Sequence, residues 1–221
     1  ILKLLGIGKQ KTKTVTFSCN PWQAPAGGSD CEKCNKDPMK PCSDYRCKSL
    51  GQSCSLLNAG TGKETCVWLN RDDVTAPTIK PWQEILTKNY QYTSITPCPP
   101  GPGCWKITGT EKGGCIKAFT PLQWGTVTNE AAQCKIDSNH TAKFDDMQYY
   151  FGDSNLFSYN HSIAMSLPGP KNLAGEAANA SAPELKNNGN YTLFIRCKDG
   201  NGNSNDAEMA VSSCVNAGPD T

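Results

Sequence analysis

The sequence predicts an all-β chain, a β-sandwich with long inserts, preceded by a small disulfide-rich module that contains one short helix. Three observations carry that prediction. Thirteen cysteines occur in 221 residues, and seven of them (Cys19, Cys31, Cys34, Cys42, Cys47, Cys54, Cys66) crowd the front. Behind them come short β-type runs at even spacing, separated by Gly, Pro and Asn turn signals. Long helical periodicities are scarce, and the longest apolar run is too short to span a bilayer. A cysteine load of this kind predicts an oxidising, extracellular or cell-surface location. Thirteen is odd, so at least one thiol is left without a partner inside the chain.

Charge excludes two function classes. The formal net charge is +2, with 22 basic and 20 acidic residues. That balance offers no electrostatic footprint for nucleic acid or for an anionic membrane. Only three of the basic residues are arginine (Arg46, Arg71, Arg196), which disfavours bidentate phosphate recognition.

Residues 1–18 read as an extended strand or arm. The chain begins at Ile1 rather than Met, which predicts a removed targeting segment or a place within a longer polypeptide. An apolar stretch, Ile1–Ile7, precedes an alternating run. Lys11, Lys13, Val15 and Phe17 fall on one side of that run, with Thr12, Thr14 and Thr16 on the other. Two readings stand: an edge strand of the chain's own first domain, or an arm that adds to a neighbouring subunit's sheet.

Residues 19–71 form the cysteine-rich module. Its front half, up to Cys31, is turn-rich and has no regular period. Its back half predicts a helix from Asp44 to about Leu57, with Ser43 as N-cap and Gly60 accommodating its end. Cys47, Leu50, Cys54 and Leu57 would then share one face. A core this small needs disulfides to supplement apolar burial. Residues 72–81, with Pro77 and Pro81, read as a linker. Residues 82–221 supply the strands: Tyr90–Ile95, Cys115–Phe119, Trp124–Val127, Cys134–Ile136, Tyr191–Cys197 and Ala207–Val215. Two inserts lack strand signals, the Pro/Gly loop Cys98–Cys104 and the stretch Gly169–Asn188.

The segments Thr126–Ile136 and His161–Leu167, and above all Gly189-Asn-Tyr-Thr-Leu-Phe-Ile-Arg-Cys197-Lys-Asp199-Gly-Asn-Gly-Asn203, carry a resemblance. From about residue 77 to 219 the chain resembles the immunoglobulin-like modules of prokaryotic cell-surface and adhesive proteins. The last string is similar to their penultimate strand and the turn that follows it. Ala217–Thr221 resembles the linker at Val74–Thr78, as if another module followed. The front module is similar in character to archaeal surface proteins. The resemblance implies a spacer or binding module rather than a chemistry. Strands on either side of the long insert point to Cys134–Cys197 as an inter-sheet bridge. Cys115–Cys214 would tie early to late strands, and Cys98–Cys104 would close the proline loop.

Few residue patterns carry chemistry. Cys31-x2-Cys34 followed by Cys42-x4-Cys47 could hold zinc, but the spacing fits disulfides better. Asp199, Asn201 and Asn203 alternate as oxygen ligands do, which makes calcium the one cofactor with a candidate loop. The same Asp-Gly-Asn-Gly-Asn string is also what a β-turn uses. His140 and His161 both sit in turn-like Asn-His-Ser/Thr contexts and are expected to be exposed. Asp145 and Asp146 are expected to face different sides of a strand. No acid, base and nucleophile converge, so an enzyme is not expected. Asn139, Asn160, Asn179 and Asn190 each begin an acceptor triplet for N-glycosylation. Trp22, Trp68, Trp82, Trp105 and Trp124 avoid that segment, and read either as core residues or as stacking platforms.

These readings predict a non-enzymatic extracellular structural protein, the building block of a surface filament or lattice in which adhesion could be an added role. It would self-associate through residues 1–17, with Cys19 or another early cysteine as a covalent link. The alternative is a carbohydrate- or protein-binding ectodomain of a surface receptor or adhesin. No ligand identity is legible.

Overall fold

The computed structural model describes residues 12–19, 21–70, 72–98, 103–110, 113–140, 143–152, 154–167 and 189–216. Ile1–Ile7, Asn179, most of the proline loop, the Gly169–Asn188 insert and Ala217–Thr221 lie outside or mostly outside those residues.

The front module is built around sulfur. A 3₁₀ turn (Cys31–Lys36) and helix α1 (Asp44–Leu50) pack on a hairpin of β1 (Cys54–Leu57) and β2 (Thr65–Trp68). Three disulfides, Cys31–Cys54, Cys34–Cys42 and Cys47–Cys66, fill its centre, with Leu50 and Leu56 packed against them. Ser43 caps α1, its hydroxyl accepting from the Arg46 N–H at 3.3 Å. The helix stops at Leu50 and does not reach Leu57, which corrects the sequence expectation. At Gly51 the backbone runs so close to the Gly27 carbonyl that a Cβ would lie 2.4 Å from its oxygen. The Gln52 and Ser53 amides then donate to Pro25 and Gly27, turning the chain out of the helix. Cys54 and Leu57 therefore belong to β1. Gly60, at φ +78°, serves the hairpin loop instead of a helix end.

Behind the module the chain is mostly strand: β3 (Ile79–Pro81), β4 (Tyr90–Ser94), β5 (Gly103–Gly109), β6 (Ile116–Lys117), β7 (Pro121–Asp137), β8 (Tyr149–Tyr150), β9 (Ser158–Ser166), β10 (Asn190–Asp199) and β11 (Met209–Asn216). Together they form a sandwich-like β-structure in the order β3-β7-β10-β11-β5-β4, with β9 and β8 pairing β7 and β6 pairing β11. β7 is the spine. Its register to β9 shifts between Val127 and Ala132, and beyond that bulge it pairs β10 and β8. The Thr128 hydroxyl holds the bulge by donating to the Glu130 carbonyl at 2.7 Å. Bulges bend strands and increase twist, which lets one strand serve two parts of the sheet. Trp124, Phe151, Ile136, Ile195 and Met209 lie in the resulting core, with Trp124 and Phe151 ring centroids 4.9 Å apart.

Cys134–Cys197 is a bridge within one sheet. The two residues face each other in the β7–β10 ladder, with Cα atoms 4.1 Å apart. That is the separation of directly opposed residues on adjacent strands, well short of the roughly 10 Å between stacked sheets. The inter-sheet placement expected from sequence is thereby corrected. Cys115–Cys214 and Cys98–Cys104 complete the six disulfides.

The module is fastened to the sheet by side-chain amides. Asn58, at φ +57°, donates to the Phe157 carbonyl at 2.8 Å and accepts from its N–H at 2.9 Å. Asn203 and Asn205 donate to the Asp73 and Pro77 carbonyls at 3.0 and 2.7 Å. The Tyr159 hydroxyl reaches Glu32 at 2.8 Å. The segment read as a linker enters the sheet at Ile79 as β3.

Candidate functional site: an exposed arm and a carboxylate cluster

The described part of the arm, residues 12–19, is exposed at every position and belongs to no strand. Among the described residues, backbone ties to the module begin at Pro25, whose carbonyl accepts from Gln52, beside the Ala24 carbonyl bound by the Gln52 side chain. Val15 is 58% exposed, Phe17 83% and Trp22 63%. Cys19 is exposed and is the free cysteine that the odd count requires. Alternation of Thr with Lys, Val and Phe favours an extended strand, yet this segment finds no ladder among the described residues. Burying a valine or phenylalanine side chain is worth about 1.5–3 kcal/mol, so the arm leaves that stabilisation unused.

A second constellation lies where the linker meets the bulge. Asp73, Glu130 and Asp199 each place a carboxylate oxygen within 4.8 Å of the other two. Asp199, at the end of β10, is buried. One of its oxygens accepts from the backbone N–H groups of Asn201 and Asn203 at 2.9 and 2.8 Å, and the other from the Asn203 side chain at 2.9 Å. Asp73 accepts from Thr75, whose hydroxyl and amide hold its pKa below the usual carboxylate value. Glu130 is pushed up to about 7, first by burial and then by the charges of Asp199 and Asp73. Of the residues singled out in the loop, Asp199 joins this cluster. Asn203 spends its side-chain N–H groups on Asp199 and on the Asp73 carbonyl, and Asn201 contributes an amide to the turn. Asp73 and Glu130 escaped the sequence reading because only the fold brings them to Asp199. The all-oxygen donor set suits a hard cation, and a proton on Glu130 relieves the same repulsion.

The remaining candidates are scattered. All six front-module cysteines other than Cys19 are in disulfides, so Cys31, Cys34, Cys42 and Cys47 present no thiolates to a metal. His140 is exposed and approaches Glu208 at 3.0 Å; Glu208 also pairs with the buried Arg196. His161 is buried, contrary to expectation, because it faces inward from β9. Burial lowers its pKa, and its ring lies 3.0 Å from the Ser158 carbonyl. Asp145 and Asp146 lie in a 3₁₀ turn (Phe144–Asp146), not a strand, and Asp145 pairs with Lys198 at 2.9 Å. Asn139, Asn160 and Asn190 are exposed. Trp124 is core; Trp82 and Trp105 are half-buried, whereas Trp68 is 51% exposed on the outer end of β2.

Comparison with protein-family models, with characterised proteins and with solved structures returns no match. No helix among the described residues is long and apolar enough to cross a membrane. Six disulfides are the mark of a chain folded in an oxidising compartment, as secreted and extracellular proteins are.

Proposed function

We propose that this chain is a non-enzymatic extracellular structural protein, the building block of a surface filament or lattice, which associates with its own copies through residues 1–17. The observation that carries the reading is the arm: a segment of β-type sequence with Val15 and Phe17 exposed and no ladder partner among the described residues. Such a strand is an aggregation hazard in a monomer and a connector in a polymer. A head-to-tail contact that does not close generates a filament. The sandwich is read as immunoglobulin-like, with β10, its Arg196-Cys197-x-Asp199 ending and the following turn matching the penultimate strand of such modules. Exposed Asn139, Asn160 and Asn190 suit glycosylation of an outward surface, and an adhesive role would be exercised there. Exposed Cys19, at the root of the arm, is positioned to cross-link neighbours covalently.

The test is to delete residues 1–17 and follow assembly by sedimentation and electron microscopy. The reading expects assemblies from the full chain and monomers from the truncated one; assemblies of normal length from both would refute it. A second reading, a carbohydrate- or protein-binding ectodomain, draws on the exposure of Trp22 and Trp68. Monomeric binding to a glycan array, lost on Trp22→Ala or Trp68→Ala, would favour it.

A further inference from the structure

The acceptor triplet Asn160-His161-Ser162 lies on the wall of a cavity. It occupies the first half of β9, where side chains alternate between the two faces of the strand. His161 is buried, whereas Asn160 is exposed and Ser162 is half-buried. The two groups that define the acceptor, the Asn160 amide and the Ser162 hydroxyl, therefore share the outer side. Neither makes a hydrogen bond among the described residues. The Asn160 backbone is held by Ser158, whose hydroxyl donates to the Asn160 carbonyl at 3.0 Å and accepts from its N–H at 3.3 Å. The acceptor amide is free on a strand that is fixed.

The cavity measures about 250 Å³ and lies between the front module and β9. Asn58, Lys63 and Thr65 line it from the module, and Phe157, Asn160 and Ser162 from the sheet. Its size falls below the roughly 300–1,000 Å³ of sites for drug-sized ligands, which suits one sugar ring and not a chain of them. Its lining mixes an aromatic ring with hydroxyls and an ammonium. A pyranose carries the complementary mixture, with C–H faces for the ring and a rim of hydroxyls for the polar groups. Asn58 and Phe157 are also the fastener between module and sheet, joined by the paired hydrogen bonds of 2.8 and 2.9 Å. An occupant of the cavity would touch both halves of that fastener.

We infer that Asn160 carries an N-linked sugar whose first pyranose ring fills this cavity and braces the front module against β9. The inference rests on the glycosylated outer surface proposed above, and gives one of its sugars a structural role. In the attachment step, the anomeric carbon of a sugar activated as a diphosphate ester exchanges its bond to the ester oxygen for one to Asn160 Nδ2. The diphosphate leaves with the bonding electron pair and the amide nitrogen gives up one proton, so no oxidant or reductant takes part. Once attached, the ring is tethered at the cavity wall. Its seating there avoids most of the translational and rotational cost that a free monosaccharide would meet on binding. Lys63 brings an ammonium with three donors to the same cavity, suited to sugar hydroxyls.

The test uses the full chain secreted from a eukaryotic host that glycosylates Asn-x-Ser/Thr, with each glycan trimmed to a single N-acetylglucosamine. Peptide mass spectrometry reads occupancy at each site, and amide hydrogen exchange at Phe157 reads the fastener. The wild type is compared with Asn160→Gln and Ser162→Ala, which both remove this triplet, and with Asn139→Gln as a control. The expected result is an occupied Asn160, with Phe157 exchange about fivefold slower in the wild type than in either triplet variant, the equivalent of roughly one added hydrogen bond. Asn139→Gln should match the wild type. An occupied Asn160 with Phe157 exchange unchanged in both variants, or an empty Asn160 beside an occupied Asn139 or Asn190, would overturn the brace and leave the glycosylated surface standing. Sugar at none of these sites would overturn both. Because Ser162→Ala keeps the asparagine, faster exchange in Asn160→Gln alone would assign the effect to the side chain and overturn the brace.

Discussion

Glutamine in place of Glu130 should stabilise the protein at alkaline pH and leave it nearly unchanged in acid. In the folded chain the Glu130 pKa rises from an ordinary 4.5 to about 7. A raised carboxyl pKa means that the folded state prefers the protonated form. Its favourable contribution is complete below about pH 4.5 and is lost as pH rises through 7. The full shift corresponds to about 3 kcal/mol at 1.36 kcal/mol per unit. Glu130 is only half-buried, so solvent screening reduces this to about 1–2 kcal/mol. At roughly 2–4 °C per kcal/mol for a chain of this size, the variant should melt about 2–8 °C higher at pH 8. His161 works in the opposite direction, since burial lowers its pKa and favours the neutral ring. Its contribution is lost as pH falls below about 6.5, but it is common to both chains and cancels in their difference. The assay is thermal unfolding of both proteins from pH 4.5 to pH 8. A gap that does not change with pH, or a variant less stable than wild type at pH 8, would refute the coupling of Glu130 to Asp73 and Asp199.

Three further outcomes are expected. If hydrogen bonding within the Asp199–Asn203 turn is sufficient, millimolar calcium at pH 8 will leave the melting temperature unchanged; a rise of several degrees in wild type that Glu130→Gln abolishes would instead assign the carboxylates to a cation. Asn58→Ala removes both hydrogen bonds to Phe157 and puts alanine at φ +57°, costing about 2–3 kcal/mol. Amide exchange at Phe157 should accelerate in that variant, while exchange in β10 should change far less. Replacing Cys134 and Cys197 together by alanine opens a crosslink of sequence separation 63, and chain entropy puts the loss at about 4 kcal/mol; chemical denaturation under oxidising conditions measures it.

What the sequence made legible was local. The Ser43 cap and the start of α1 follow from residue type, as do the cores of β4, β10 and β11. The errors have physical causes in contacts remote in sequence. Helix periodicity continued through Cys54 and Leu57, but close approach of Gly51 to Gly27 ends the helix. Trp124–Val127 and Cys134–Ile136 read as two strands because the bulge at Thr128–Ala131 interrupts the alternation that β7 resumes. β5 was hidden by the proline loop at its entrance, and its parallel pairing with β11 has no local signal. The cluster of Asp73, Glu130 and Asp199 joins residues from a linker, a bulge and a strand end, so no spacing rule could find it. The parity of the cysteines required an unpaired thiol, and its position at Cys19 came only with the fold.

The central claim is most directly tested by high-resolution electron microscopy of the full-length chain under oxidising conditions. The account predicts an open head-to-tail polymer in which the arm, residues 1–17, of one copy packs against the next. A uniform population of monomers, or a polymer whose contacts leave the arm unpaired, would contradict it.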